Sequence, residues 1–243
     1  FMESVGFGPS VVDIPFVMEG VKGSRAEKRE VYDLEMRRRI DEELTRRSCA
    51  FIRRQAVAEK PFFLYVPLTQ MHFPTIPHRS FEGASRKGDF ADALMELDAR
   101  VGEILDAVDA SGLRENTLFI FASDNGPEYR RPWRGSAGMW TGTYHTAMEG
   151  ALRVPFIARW PGHIQPGAVT NEIVHVVDLF PSLAAVAGVN VPADRPIDGV
   201  NQLPFLTGNT ETSAREGFVY FIKNELRAAK WRDWKMHFIW EVE

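Results

Sequence analysis

"FIFASDNGPEYRR", residues 119 to 131, runs a series of apolar, strand-forming residues straight into Asp124, Asn125 and Gly126. A strand that stops at a carboxylate and a carboxamide carries two side-chain oxygens to its carboxyl end. The following glycine lets the backbone turn away sharply without a side-chain clash. Whether these oxygens serve a site or only a turn depends on what surrounds them.

Upstream, "KPFFLYVPL" (60–68) is a continuous apolar run of strand type, with Pro67 suited to its end. Between the two runs, Gly88 to Ala110 places Phe90, Leu94, Leu97, Val101, Ile104 and Val108 at spacings of three and four. That spacing predicts an amphipathic helix stopped by Gly112. Earlier still, Ser24 to about Glu59 is charged, with Val31, Leu34, Ile40, Leu44, Phe51 and Ile52 forming a narrow apolar stripe. This reads as one long helix, and residues 1 to 24, punctuated by Gly and Pro, read as loop. Downstream, "RVPFIARW" (153–160) predicts a third strand, and "DLFPSLAAVAGV" (178–189) a helix with Asp178 near its start. Buried strands alternating with amphipathic helices predict an α/β fold, a mostly parallel sheet flanked by helices on both faces. The aromatic-rich tail predicts a small antiparallel appendage. The expected domains are therefore 1–207 and 208–243.

Composition narrows the function classes. The 243 residues are 44% hydrophobic and 26% charged, with a formal net charge of -4. No global positive field argues for nucleic acid or an anionic membrane surface, and no partner of either kind is expected. No apolar run approaches the roughly 18 residues of a spanning helix. The single cysteine, Cys49, allows no internal disulfide and no cysteine-based zinc site. The compartment is left open by all of this.

In open parallel sheets, ligands bind beyond the carboxyl ends of the strands. Asp124 and Asn125 occupy one such end, and His72, in "TQMHFP", lies just past another. A carboxylate beside a carboxamide suits a hard cation such as calcium or magnesium. The same Asp-Asn-Gly also makes an ordinary turn, and the spacing by itself leaves both readings standing. His72, and His78 in "IPHRS", equally suit structural roles. Arg130, Arg131 and Arg134 suit either an anion grip or a solvated surface. Trp133 and Trp140 either line an aromatic pocket or anchor packing.

The longer pattern goes further. "SDNGPE", then "WRGSAG", then "TAMEGALRVPFIARWPG" resembles the sulfatase family of the alkaline phosphatase superfamily, its arylsulfatases in particular. "KPFFLYVPLTQMHFP" upstream, and "VVDLFPSLAAVAGV" and "DGVNQLPFLTG" downstream, extend the resemblance in family order over most of residues 50 to 210. It implies an alkaline phosphatase-like core in which Asp124 and Asn125 coordinate a divalent cation, usually calcium. His72 would contact the sulfate group of a small sulfated ester. The family places a lysine five residues before the glutamate of its "EGG" segment, and counting back from Glu149 gives Tyr144. That lysine is absent, and His145 or a nearby arginine such as Arg134 is the substitute at hand. Glu149, Gly150 and Arg153 are expected to shape the turn into the next strand.

The family's nucleophile is a hydrated formylglycine made from the Cys or Ser of a C/S-x-P-S-R motif. A geminal diol offers one oxygen for attack and a second whose proton is removed to eject sulfate. No such motif occurs here. Cys49, in "RRSCAFIRR", has no proline two residues on and reads as a small buried helix residue. The family's N-terminal pair of metal-binding aspartates is missing too, and Asp13 in "VVDIP" lacks its context. The chain therefore resembles the C-terminal part of an arylsulfatase. Phe1 in place of a start methionine fits an incomplete N-terminus.

Alone, such a chain is expected to bind metal weakly, to show no appreciable turnover, and to associate with itself or with the missing N-terminal segment. Three functions follow: part of a calcium-dependent arylsulfatase-like hydrolase, a phosphate or phosphonate ester hydrolase, or a non-catalytic binding module. The first is favoured because a decayed module has no reason to retain both the "DNG" and the histidine segments.

Overall fold

A computed structural model describes residues 16–19, 27–132 and 134–240. These fall into two compact units, on either side of Gly112 and Leu113.

In the first unit, strands β1 (Phe16–Glu19) and β2 (Glu27–Val31) pair antiparallel, where loop and helix were expected. The long helix α1 spans Leu34–Ala58 and starts ten residues later than the sequence reading placed it. Asp33 sets that start, its carboxylate accepting from the Met36 N–H at 2.8 Å, as an N-cap does. Ile40, Leu44 and Ile52 of the expected stripe are buried, while Val31 and Leu34 are exposed. The buried face includes Arg37 and Asp41, so the stripe is half polar. Helix α2, Asp89–Ala110, fills its expected span. Its buried face is likewise mixed: Ala93, Ile104, Ala107 and Val108 beside Glu96 and Arg100, with Leu94 turned outward.

Residues 60–68 carry no strand ladder among the described residues. Their exposure nevertheless alternates as in a strand. Leu68 packs on Met36, Ile40 and Leu44, and Phe62 meets Phe51 edge-on at 5.5 Å, while Phe63 and Tyr65 are exposed.

In the second unit, β3 (Phe119–Ala122) and β4 (Phe156–Arg159) stand where two strands were expected. They pair with each other antiparallel, Phe119 opposite Arg159 and Ala122 opposite Phe156. Every ladder among the described residues is antiparallel, which replaces the mostly parallel sheet of the sequence reading. The reason is the connection. Among the described residues between β3 and β4 the one helical stretch is the single turn α3 (Glu149–Leu152), and the chain returns beside β3 in the opposite sense.

After β4, a 3-10 turn (Val176–Asp178) runs into helix α4 (Leu179–Val186). The tail is antiparallel as expected: β5 (Gly217–Ile222), β6 (Glu225–Trp231) and β7 (Trp234–His237) form one sheet. Tyr220 and Ala228, on one face, are buried with Ala147 of the long loop, so this sheet supports the loop from below.

No described helix is long and apolar enough to cross a membrane. Cys49 is buried in α1, its Sγ 3.5 Å from the Glu103 carbonyl, and burial pushes its thiol pKa up. It is a packing residue, as read from its context. Asp13 and Trp133 lie outside the described residues.

Candidate functional site

Asp124 and Asn125 follow β3 directly. The Asp124 side chain is exposed, and its Oδ1 accepts from the Asn125 N–H at 3.0 Å. No described lysine, arginine or histidine pairs with it. The Asn125 amide nitrogen donates to the Gly126 carbonyl at 2.9 Å, which fixes the side chain and keeps its oxygen as the group on offer. An unpaired carboxylate next to an oriented carboxamide oxygen fits a hard cation. Among the described residues, no three His, Cys, Asp or Glu side chains gather as a metal group, and the pair could supply at most two of the six to eight ligands that calcium takes.

The turn is locked by backbone. Gly126 donates to the Ala151 carbonyl at 2.7 Å, and the Gly150 N–H donates to the Thr141 carbonyl at 2.8 Å. A Cβ on Gly126 would sit 2.1 Å from the Gly150 carbonyl oxygen, inside any real contact. Gly126 does not adopt a positive φ. Its role is close approach of two chain segments, and the expectation that it relieves a sharp turn is corrected accordingly.

Tyr144, where the family lysine would stand, donates its N–H to the Pro127 carbonyl at 3.1 Å. This holds the segment before α3 against the segment after Asn125. His145 beside it has a φ of 67°, and its ring meets the Tyr144 ring at 4.1 Å. The exposed Arg134 lays its guanidinium 3.9 Å from the centre of the Tyr129 ring. Asp124, Asn125, Tyr144, His145 and Arg134 thus belong to one loop assembly of the second unit.

Glu149 opens α3 and does more than shape a turn. Its carboxylate accepts from Arg153 at 2.6 Å and from Lys235 of β7 at 2.9 Å, with Lys230 of β6 at 3.5 Å. Arg153 in turn lies 4.1 Å over the Trp140 ring, which makes Trp140 a packing partner of this pin. Burial alone would raise the Glu149 carboxyl, but its hydrogen bonds from Arg153 and Lys235 win and bring it down to about 2. A lowered folded pKa means the stabilisation is full above the unfolded value of 4.5 and disappears as pH falls towards about 2. Glu149→Gln should therefore cost on the order of 2 kcal/mol near neutrality, allowing for solvent screening. The gap between the two proteins should narrow as pH falls below 4.5. Urea melts of both across that range check it, and a gap that stays constant with pH would contradict it.

His72 and His78 lie in the first unit, on a loop that buried charges hold from both helices. The Arg37 guanidinium donates to the Thr69 and His72 carbonyls, both at 2.9 Å. Asp41 accepts from the Thr69 and Gln70 N–H groups at 2.8 and 2.9 Å. Glu96 accepts from the Gln70 side chain at 3.1 Å and from the His78 N–H at 2.8 Å. His72 is exposed, its Nδ1 2.6 Å from the Phe73 carbonyl. A carbonyl can only accept, so in this contact Nδ1 carries the proton. His78 caps the 3-10 turn Arg79–Phe81, accepting from the Ser80 N–H.

The sequence reading missed Arg37, Asp41 and Glu96. The signal was present: Arg37/Asp41 and Glu96/Arg100 are opposite charges four apart on faces that also bury aliphatic residues.

Comparison with known proteins places these features in a context. The family model described as Sulfatase matches residues 16–189. The chain is 43% identical to arylsulfatase A of Homo sapiens over 163 residues, which are 67% of this chain and 32% of that protein. It is 37% identical to N-acetylgalactosamine-6-sulfatase of Canis lupus familiaris over 190 residues, 77% of this chain and 36% of that one. The crystal structure of the PsFucS1 sulfatase from Pseudoalteromonas sp. superposes with a TM-score of 0.87 at 31% identity, covering 91% of this chain and 45% of that chain. The chain thus spans about a third of the length of these curated relatives.

Proposed function

The chain belongs to the sulfatase family, and we propose that the complete protein hydrolyses sulfate esters in the manner of an arylsulfatase. The observation that carries this reading is the Asp124–Asn125 turn: an exposed carboxylate with no described cationic partner, beside a carboxamide whose orientation is fixed. These two residues would hold a divalent cation, with calcium favoured by the all-oxygen donor set. With a cation held there, the site would gain a Lewis acid that polarises sulfate oxygens and lowers the cost of charge developing on them.

The remaining work falls to the chain's own groups. The resemblance gives His72, held as the Nδ1–H tautomer by the Phe73 carbonyl, the role of contacting the sulfate group. Protonated, Nε2 donates a hydrogen bond; neutral, it accepts a proton. Arg37, Asp41 and Glu96 keep the histidine loop in place, and the Gly126–Gly150 contact keeps the cation pair in place. The attacking group, a formylglycine, is expected from a C/S-x-P-S-R motif that this sequence lacks.

The test uses the complete protein with a chromogenic aryl sulfate and the matching aryl phosphate, with and without calcium. Sulfate should be the better substrate, and chelation should abolish turnover. Asp124→Ala should lower kcat/KM by about a hundredfold or more, since metal polarisation is worth several kcal/mol. Preference for the phosphate would move the assignment to a phosphoesterase. Full activity of Asp124→Ala would remove this turn from the site.

A further inference from the structure

We propose that the outer face of the C-terminal sheet is a self-association surface, on which a second copy of this chain packs about a two-fold axis. Such pairing is independent of the hydrolase activity proposed above. An antiparallel sheet packed on one side only carries polar residues at its outward positions. Here those positions are apolar. Trp231 stands opposite Trp234 at one end of the face, Val219, Ala229 and Met236 cross its middle, and Phe221 stands opposite Leu226 at the other end. Tyr220 and Ala228 point the other way and are buried. Lys230 and Lys235, on that same inner side, reach the Glu149 carboxylate. The usual polarity is thus inverted: cations lie inside, where a carboxylate receives them, and aromatics lie outside.

The area matches an interface. Trp234 is 81% exposed, Met236 64%, Phe221 58%, Trp231 56% and Val219 55%. Phe238 donates its N–H to the Arg227 carbonyl at 2.8 Å, so it continues the alternation past β7, and it is half exposed. With aromatic side chains of ~150–250 Å² each, these residues leave roughly 700 Å² of apolar surface on one face. That exceeds the ~300–600 Å² of the largest patch on a typical monomer. It approaches the ~800 Å² that each partner contributes to a standard interface.

The two ends of the face complement each other, and this selects a second copy as the occupant. A two-fold interface uses the same patch on both copies, so the patch must fit itself. With the axis along the Val219–Ala229–Met236 row, the tryptophan end of one copy lies over the Leu226 and Phe238 end of the other. Ala229, the smallest outward side chain of that row, then sits at the axis, where the sheets approach to the ~10 Å of face-to-face packing. Charge agrees. Lys223, in the β5–β6 turn, stands at the Leu226 end, and Asp233, in the β6–β7 turn, at the tryptophan end. Among the described residues neither takes part in an ion pair, whereas Arg232 beside Asp233 is engaged by Glu216. The same two-fold brings Lys223 of each copy towards Asp233 of the other, twice per dimer. An axis along the strands would bring lysine to lysine and aspartate to aspartate, and opposed like charges disfavour it.

Sedimentation velocity of the full 243-residue chain tests this, from about 1 to 100 μM, the range in which a micromolar dimer dissociates. The expected result is a reversible step from the 27.5 kDa of one chain to twice that mass, with no larger species. Trp234→Lys should weaken the dimer at least tenfold, and Met236→Lys should do the same, so that the misfolding of either variant leaves the other to decide. Both side chains are exposed, and unchanged circular dichroism should accompany the loss. Tyr65→Lys, at an equally exposed aromatic of the first unit, should leave the dimer intact. Zero-length carbodiimide coupling of a mixture of ¹⁴N- and ¹⁵N-labelled chains should join Lys223 of one isotope to Asp233 of the other. A chain that stays monomeric throughout would overturn the proposal, including the case where a further segment of the complete protein covers this face. So would growth past a dimer, a dimer indifferent to both lysine substitutions on the sheet, an equal loss in Tyr65→Lys, or cross-links between copies that all fall outside the two turns.

Discussion

Arg215→Ala is expected to lower the unfolding free energy by about 3 kcal/mol, the low end of what breaking a buried ion pair costs. Asp178 is wholly buried at the entry to α4, and Arg215 donates to both its oxygens, from Nε at 3.0 and 2.8 Å and from Nη2 at 2.6 Å. Burial by itself would raise the Asp178 carboxyl, but Arg215, with the N–H groups of Val200 and His175, holds it below its ordinary value. Removing the guanidinium leaves a buried carboxylate with two backbone donors, which offset part of the loss and set the estimate at the low end.

The effect reaches further than one pair. Arg215 also donates to the Asp198 carbonyl at 2.7 Å and lies two residues before β5, so it ties α4 to the sheet whose inner face supports Ala147 and pins Glu149. For a domain of this size, the predicted loss corresponds to a fall in Tm of roughly 6–12 °C. Arg215→Lys keeps the charge but not the fork, and should fall between. A loss below about 1 kcal/mol in urea melts would show that water or rearrangement replaces the guanidinium, and would contradict the account.

Gly126→Ala is expected to cost at least about 2–3 kcal/mol and to disable the cation pair. The added methyl would lie 2.1 Å from the Gly150 carbonyl oxygen and 2.7 Å from the Ala151 Cα. Both are backbone atoms of the α3 turn and have no rotamer by which to retreat. Relief requires parting β3's end from α3, which breaks the 2.7 Å bond from Gly126 to the Ala151 carbonyl and moves Asn125 with it. Gly102 is the control with opposite sign. It lies inside α2, a Cβ there meets nothing within 4 Å, and alanine should stabilise the helix by about 0.5–1 kcal/mol. Thermal melts of the two variants, with calcium titrations of the complete protein, separate packing damage from site damage. A Gly126→Ala protein as stable and as calcium-responsive as its parent would show that the two segments part freely.

Local pattern carried much of this structure. The α2 span, the positions of β3 and β4, the α4 region and the antiparallel tail follow from periodicity, from strand-forming runs and from glycine stops, all short-range effects. The start of α1 did not, because charged residues that continue a helical pattern also pair as a strand, and only the Asp33 cap marks the boundary. Strand direction was misjudged for a different reason. Apolar runs of parallel and antiparallel strands look alike, and direction depends on the path of the connecting loop.

The sequence by itself determined the family, the placing of Asp124 and Asn125 at the end of β3, the histidine segment and the absence of a C/S-x-P-S-R motif, since each is a matter of residue type at a fixed spacing. Tertiary structure alone decided what holds them. Arg37, Asp41 and Glu96 fix the His72 loop, Gly150 makes Gly126 necessary, and Lys230 and Lys235 reach Glu149 from strands more than eighty residues away in the chain. Contacts of that kind arise when distant segments are brought within a few ångströms, and no local spacing encodes that distance.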